Sequence, residues 1–133
     1  MKARNWVLAI LLATSALCFA KATNDWLKSV PQADRNRVNP YAGKPDAVAA
    51  GAILYRDNCA QCHGTDARGK YSRPSLRSEE VRQATDGDLA WLLKNGAVYR
   101  GMPRWSGLPE PERWQIIAYL RSLGPSTSVE VQK

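Results

Sequence analysis

Two thiols and an imidazole stand within five residues, Cys59-Ala60-Gln61-Cys62-His63. Thiols at this spacing can each add across one vinyl group of a haem, and the histidine directly after the second thiol is then held under the iron. Attachment and ligation thus come from one short stretch. Two other chemistries use the same residue types. A C-x-x-C pair can be a dithiol redox site, but that belongs in a βαβ setting, and no strand pattern surrounds Cys59. Structural zinc takes four ligands, usually Cys or His. The whole chain offers three cysteines and one histidine, and Cys18 lies in an apolar N-terminal run. Covalent haem attachment is therefore the reading that the stretch supports.

An attached iron needs a sixth ligand or an open site. His63 is the only histidine, which excludes two histidine ligands within one chain. Apart from Met1, Met102 is the only methionine, and Gly101 and Pro103 bracket it. Glycine lets the backbone approach closely and proline fixes its path. A thioether ligand favours reduced iron and raises its potential; the alternative is a methionine that only fills a core gap. Pro74 lies eleven residues beyond His63. Its carbonyl could accept from the far ring nitrogen of His63, fixing tautomer and ring orientation. The alternative is an ordinary loop proline.

These residues must be positioned by something, and the sequence offers helices. Asp46 reads as the cap of a helix from Ala47 to about Asn58, on which Gly51 and Tyr55 share a face. A glycine inside a helix costs about 1 kcal/mol against alanine, so close approach by another helix is the expected reason for Gly51. Gly64 to Arg73 is a polar loop, and Ser78 could cap a single turn after it. Thr85 or Asp86 then caps a helix over Asp88–Asn95, with Leu89, Leu92 and Leu93 buried and Gly96 as its stop. Ala97 to Leu108 is the loop that carries Met102. Pro109 or Pro111 starts a last helix running to about Leu123, whose Glu112, Arg113 and Arg121 are expected to stay in water. Three short helices over 46–124 make a small core, and a buried haem would fill its centre.

The chain has 133 residues, 44% hydrophobic and 23% charged, in keeping with one globular domain. Residues 1–20 read as an export signal: Lys2 and Arg4, then an apolar run from Val7 to Ala20, then small-x-small sites at Ala20 and Ala22. An uncleaved anchor needs roughly 20 apolar residues, more than the run supplies. Acylation of Cys18 would require a small residue where Leu17 stands. Cleavage after Ala20 leaves 17 basic and 12 acidic residues, a net charge of +5, and no stable membrane anchor is expected. Residues 21–45 read as an N-terminal extension in which Pro31, Pro40 and Pro45 break helices and disfavour central strands, and which Trp26, Val38 and Tyr41 could pin to a surface; a partly ordered leader is the alternative. Residues 125–133 read as a tail.

The chain resembles class I c-type cytochromes, in Cys59-Ala60-Gln61-Cys62-His63, Pro74-Ser75-Leu76, Gly101-Met102-Pro103 and the terminal helix with Trp114 and Tyr119. The resemblance covers about residues 46–124. It implies an all-α cytochrome c fold, three to four short helices wrapped around one covalent haem c, with the first and last helices crossing at Gly51, Tyr55 and Tyr119. Where the family usually has glycine before the supporting proline, this chain has Arg73. Asn39-Pro40-Tyr41, Ala49-Ala50-Gly51 and Gly101-Met102-Pro103-Arg104-Trp105 are similar to small periplasmic cytochromes associated with PQQ-dependent alcohol dehydrogenases, and haem domains of terminal-oxidase subunits share much of the pattern.

With both axial positions filled by His63 and Met102, the expected role is a periplasmic single-electron carrier and not an enzyme. It would accept electrons from a dehydrogenase and pass them towards a terminal oxidase. Alternatives are a haem subunit held permanently in a dehydrogenase or oxidase complex, and a ligand-binding or sensor protein with Met102 off the iron. Arg68, Lys70, Arg73, Arg77 and Arg82, with Arg100 and Arg104 beside Met102, could form a cationic rim that steers an acidic partner; a solvated basic face is the alternative. The pI of 9.6 would also suit nucleic acid, but an exported haem protein does not. Arg104 or the Trp105 indole is expected to meet a haem propionate.

Overall fold

A computed structural model describes residues 25–125. The expected export signal with Cys18 and both cleavage sites, the first residues of the extension, and the tail from 126 lie outside the described residues. Among the described residues seven α-helices follow in order: α1 (Asp25–Lys28), α2 (Gln32–Arg35), α3 (Pro45–Asn58), α4 (Ala60–His63), α5 (Glu79–Gln83), α6 (Asp86–Asn95) and α7 (Glu110–Ser122). A 3-10 turn at Val98–Arg100 precedes Met102. Among the described residues there is no strand, only two isolated bridges, Lys70 with Arg73 and Ala97 with Met102. The class is all-α, as expected.

The frame is the crossing of α3 and α7, the most extensive contact between elements. A Cβ added to Gly51 would lie 2.0 Å from the Gln115 carbonyl oxygen and 3.0 Å from the Tyr119 Cβ, so the two backbones meet where only glycine fits. One turn further on, Tyr55 is fully buried and its ring lies 5.3 Å from that of Tyr119. On α7, Ile116 and Ile117 are also fully buried, each contributing about 1.5–3 kcal/mol through lost water contact.

Helix ends follow local chemistry. Helix α3 begins at Pro45, with Pro in the first turn and Lys44 at the cap, instead of being capped by Asp46. Asp46 falls inside the first turn, where a carboxylate complements the helix dipole. Ser78 caps α5 through its hydroxyl and the Val81 N–H. Thr85 caps α6 in a capping box closed by Asp88, so this helix starts at Asp86, two residues before the sequence-based start.

The stretch read as an irregular extension packs into the core. Trp26 and Val30 are buried with Leu89, Leu93, Trp114, Ile116 and Ile117. Single helical turns form there all the same, α1 before Pro31 and α2 between Pro31 and Pro40. Of the three expected pins, Trp26 is buried and Tyr41 half-buried, but Val38 is 83% exposed. Asn39 is buried in its place: its Nδ2 donates to the Trp114 carbonyl at 3.0 Å and its Oδ1 accepts from the Tyr41 N–H at 2.9 Å. Arg35 pairs with the buried Asp88 at 3.0 Å, and the Thr85 hydroxyl donates to the Arg35 carbonyl at 2.9 Å.

Two arginines expected in water are not there. Arg113 is buried and donates to the Trp105 and Leu108 carbonyls, and burial, then nearby Arg37, lowers its pKa from the usual range. Arg121 is half-buried; it donates to Asp86 at 2.7 Å and to the carbonyls of Val81, Arg82 and Ala84 that end α5. Helix ends leave carbonyls without partners, and a guanidinium with five donors can satisfy several at once.

Candidate cofactor site

The Cys59–His63 stretch continues directly from α3. Cys59 closes that helix through a 2.8 Å bond to the Tyr55 carbonyl, and α4 follows, its Cys62 and His63 amides both returning to the Cys59 carbonyl at 3.1 and 3.0 Å. The motif is therefore wound into a helical turn. The Tyr55 hydroxyl donates to the Gly64 carbonyl at 2.7 Å, tying the end of α4 back to the α3–α7 crossing. Cys59 is buried and Cys62 exposed. Burial, then the neighbouring Cys62, pushes the Cys59 thiol up to about 11.

The loop after α4 folds under His63. The Gly69 N–H returns to the His63 carbonyl at 2.8 Å, and the Leu76 N–H to the carbonyl of the fully buried Ala67 at 2.9 Å. This sets the Pro74 carbonyl 2.9 Å from His63 Nδ1, as the sequence suggested. A carbonyl oxygen only accepts, so the proton sits on Nδ1 and the Nε2 lone pair is left for a metal.

The loop that carries Met102 is pinned at its base. Ala97 and Met102 exchange both backbone bonds at 3.1 Å, and the Trp105 N–H donates to the Leu93 carbonyl at 2.8 Å. Met102 is half-buried against the core.

A cavity of about 610 Å3 joins these parts, within the roughly 300–1,000 Å3 range of cofactor pockets. Cys59, Cys62, His63, Pro74, Met102 and Trp105 all line it, with Leu89, Leu93, Ile117 and Leu120 as apolar wall. Arg104 is exposed and outside the lining, whereas Arg73 and Arg100 are within it. Trp26, also in the wall, was not legible as a site residue; its indole donates to Glu80 at 3.3 Å, and Glu80 lines the cavity too. Two thiols, an imidazole with a free Nε2 and a thioether around one apolar cavity fit a covalently attached haem.

The expected cationic rim is thinner than the sequence count. Arg77 donates to the Leu123, Gly124 and Pro125 carbonyls at the end of α7. Arg82 pairs with Glu79 and Arg68 with Asp66. Lys70, Arg73, Arg100 and Arg104 remain as exposed basic residues on the two loops.

Such a site defines a c-type cytochrome domain, and comparison with known proteins agrees. A family model described as cytochrome c oxidase, cbb3-type, subunit III matches residues 46–120, so the chain belongs to this family of class I c-type cytochrome domains and carries one covalent haem c. Cytochrome c550 of Pseudomonas aeruginosa is 38% identical over 88 residues, covering 63% of this chain and 61% of that protein. The cbb3-type cytochrome c oxidase subunit CcoP of Rubrivivax gelatinosus is 34% identical over 92 residues, 68% of this chain but 30% of that subunit. The chain thus spans under two thirds of either relative. The solved structure of cytochrome CL from Methylophaga aminisulfidivorans superposes with a TM-score of 0.57 at 24% identity, covering 82% of this chain and 72% of that one; this likeness concerns the fold. Domains of this class transfer electrons. Among the described residues, no helix is long and apolar enough to cross a membrane.

Proposed function

We propose that the protein is an exported, periplasmic single-electron carrier whose haem iron is held between His63 and Met102. Electrons would come from a dehydrogenase, with a PQQ-dependent alcohol dehydrogenase the first candidate, and leave towards a terminal oxidase. The observation that carries this reading is one cavity lined by both His63, its Nδ1 engaged by Pro74, and Met102. When bound, the haem supplies a one-electron couple. The chain supplies the rest. Pro74 keeps His63 in the tautomer that ligates. The pinned loop offers a soft sulfur that favours the reduced state. Leu89, Leu93, Ile117 and Leu120 keep the pocket dry, which restricts reorganisation around a changing charge. Lys70, Arg73, Arg100 and Arg104 give the mouth a positive sign suited to an acidic partner.

Visible spectra of the oxidised and reduced protein, with and without carbon monoxide, test the ligation. A weak red band of sulfur-ligated ferric iron and no shift with carbon monoxide are expected, and both should reverse in Met102→Ala. A ready shift in the unaltered protein would leave Met102 as a packing residue and favour a ligand-binding role. The similarity to an oxidase subunit motivates a second reading, a permanent subunit of an oxidase or dehydrogenase complex. Co-purification at high salt would favour it over a mobile carrier.

A further inference from the structure

Arg73 and Pro74 are consecutive, and each reaches a different side of the site. The Pro74 carbonyl accepts from His63. The Arg73 guanidinium crosses to the other loop, where Nη1 donates to the Arg100 carbonyl at 3.0 Å, a contact between residues 27 positions apart. That carbonyl lies two residues before Met102. The guanidinium lies close against Gly101, where an added Cβ would lie 2.8 Å from Arg73 Nη1, and Gly101 itself has φ +81°, in the left-handed region that favours glycine. Both ends of the contact are held. The Arg73 N–H donates to the Lys70 carbonyl at 3.0 Å, while the Arg100 and Gly101 amides return to Ala97 and Val98 at 2.8 and 2.9 Å. The Arg100 side chain is occupied elsewhere, over the Tyr99 ring at 5.5 Å, so it is the carbonyl that meets Arg73.

Elsewhere the Met102 loop is fastened to its own helix and base, through Ala97 and Leu93, and to α7, where Arg113 donates to the Trp105 and Leu108 carbonyls. Arg73 ties it to the loop that supports His63. From this geometry we infer that Arg73 is a positioning residue: its guanidinium straps the methionine loop closed across the cavity mouth and keeps Met102 in place. This rests on the proposed ligation by His63 and Met102. The strap is electrically asymmetric as well, since it carries a cation to the mouth without a carboxylate partner at the Arg100 carbonyl. An outside ligand can reach the iron only when Met102 leaves, so its apparent affinity scales with the fraction of open loop. A hydrogen bond from a charged donor at an exposed site contributes modestly to a closed state, and its loss should raise that fraction about five- to tenfold.

The test is imidazole titration of the ferric haem protein, followed by absorption, in Arg73→Gln with and without Met102→Ala. Imidazole should bind Arg73→Gln about five- to tenfold more tightly than the unaltered protein, and in the Met102→Ala background Arg73→Gln should change nothing. Equal gains in both backgrounds would mean general loosening, and no gain in either would mean an idle surface arginine; each overturns the strap. If the unaltered protein binds imidazole as readily as Met102→Ala, the proposed ligation has failed instead. The strap is then judged by hydrogen exchange at the amides of Arg100, Gly101 and Met102. Faster exchange in Arg73→Gln upholds it, and unchanged exchange overturns it.

Discussion

The crossing of α3 and α7 and the loop that carries Met102 serve the same cavity by different physical means. At the crossing, backbone meets side chain and backbone at van der Waals distance around Gly51, Tyr55, Gln115 and Tyr119. In the loop, Pro103 also lies close over Gly96, but much of its position rests on hydrogen bonds: the Ala97–Met102 exchange, Trp105 to Leu93, Arg113 to Trp105 and Leu108, and Arg73 to Arg100. Close packing is intolerant of added atoms, whereas each hydrogen bond can be lost singly at modest cost. The molecule therefore places the thiols and His63 on its stiff half and the methionine on its adjustable half. Stability should be most sensitive at the first and ligand chemistry at the second.

The largest expected effect breaks the stiff half. Gly51→Val would force a side chain into the Gln115 carbonyl, and a loss of about 3 kcal/mol or more is expected from such overpacking. Thermal unfolding and the yield of haem protein would measure it. If Gly51→Val folds with its melting point intact, the crossing is not the frame described. Next comes Trp26→Ala, which opens the cavity wall from the N-terminal segment. A cost of about 3 kcal/mol is expected for emptying a buried tryptophan site, readable in a denaturant titration; a change under about 1 kcal/mol would return residues 25–44 to the status of an appendage.

A smaller effect sharpens the link between the halves. Tyr55 lies in the crossing but donates to Gly64 beside His63, and burial, first of all, raises its pKa from the ordinary tyrosine range. The folded chain thus resists a phenolate that the unfolded chain accepts. This contribution is complete below the ordinary tyrosine pKa, about 10, and is lost as the pH rises above it. Tyr55→Phe should cost about 1 kcal/mol at neutral pH and flatten the alkaline fall in stability; parallel alkaline arms in the two proteins would rule out Tyr55 as its source. The smallest effect concerns the adjustable half alone. Arg100→Gln keeps the carbonyl that Arg73 uses and removes one charge from the mouth. Stability should stay within about 0.5 kcal/mol, while association with an acidic redox partner slows and becomes less sensitive to salt. An unchanged salt slope would remove Arg100 from the docking face.

Much of the site was legible because its chemistry is local. The thiol and histidine spacing, the proline eleven residues on, and the Gly-Met-Pro loop are written in consecutive or nearby residues. Gly51 was legible through its cost, since a helix keeps such a glycine only where something touches it. The helix caps at Ser78 and Thr85 are equally short-range. What escaped was long-range. Nothing in the neighbourhood of Trp26 says that it faces Leu89 and lines a pocket. Arg77, Arg113 and Arg121 look like solvated charges until the helix ends they cap, or the carbonyls they gather, are in place. Asn39 and not Val38 is buried because a side-chain amide can satisfy a carbonyl of α7, and valine cannot.

The unequal exposure of the two thiols bears on manufacture. Joining a sulfur to a vinyl group adds S–H across a carbon–carbon double bond, so each sulfur must meet its vinyl group, and both thiols line the cavity where that contact would be made. Cys62 remains within reach of the finished surface, but Cys59 is enclosed with Tyr55, Ala60 and Ala67, under Tyr119 and Leu120 of α7. The thioether at Cys59 would thus form from within the cavity and lie beneath the α3–α7 crossing, while that at Cys62 would stay at the surface.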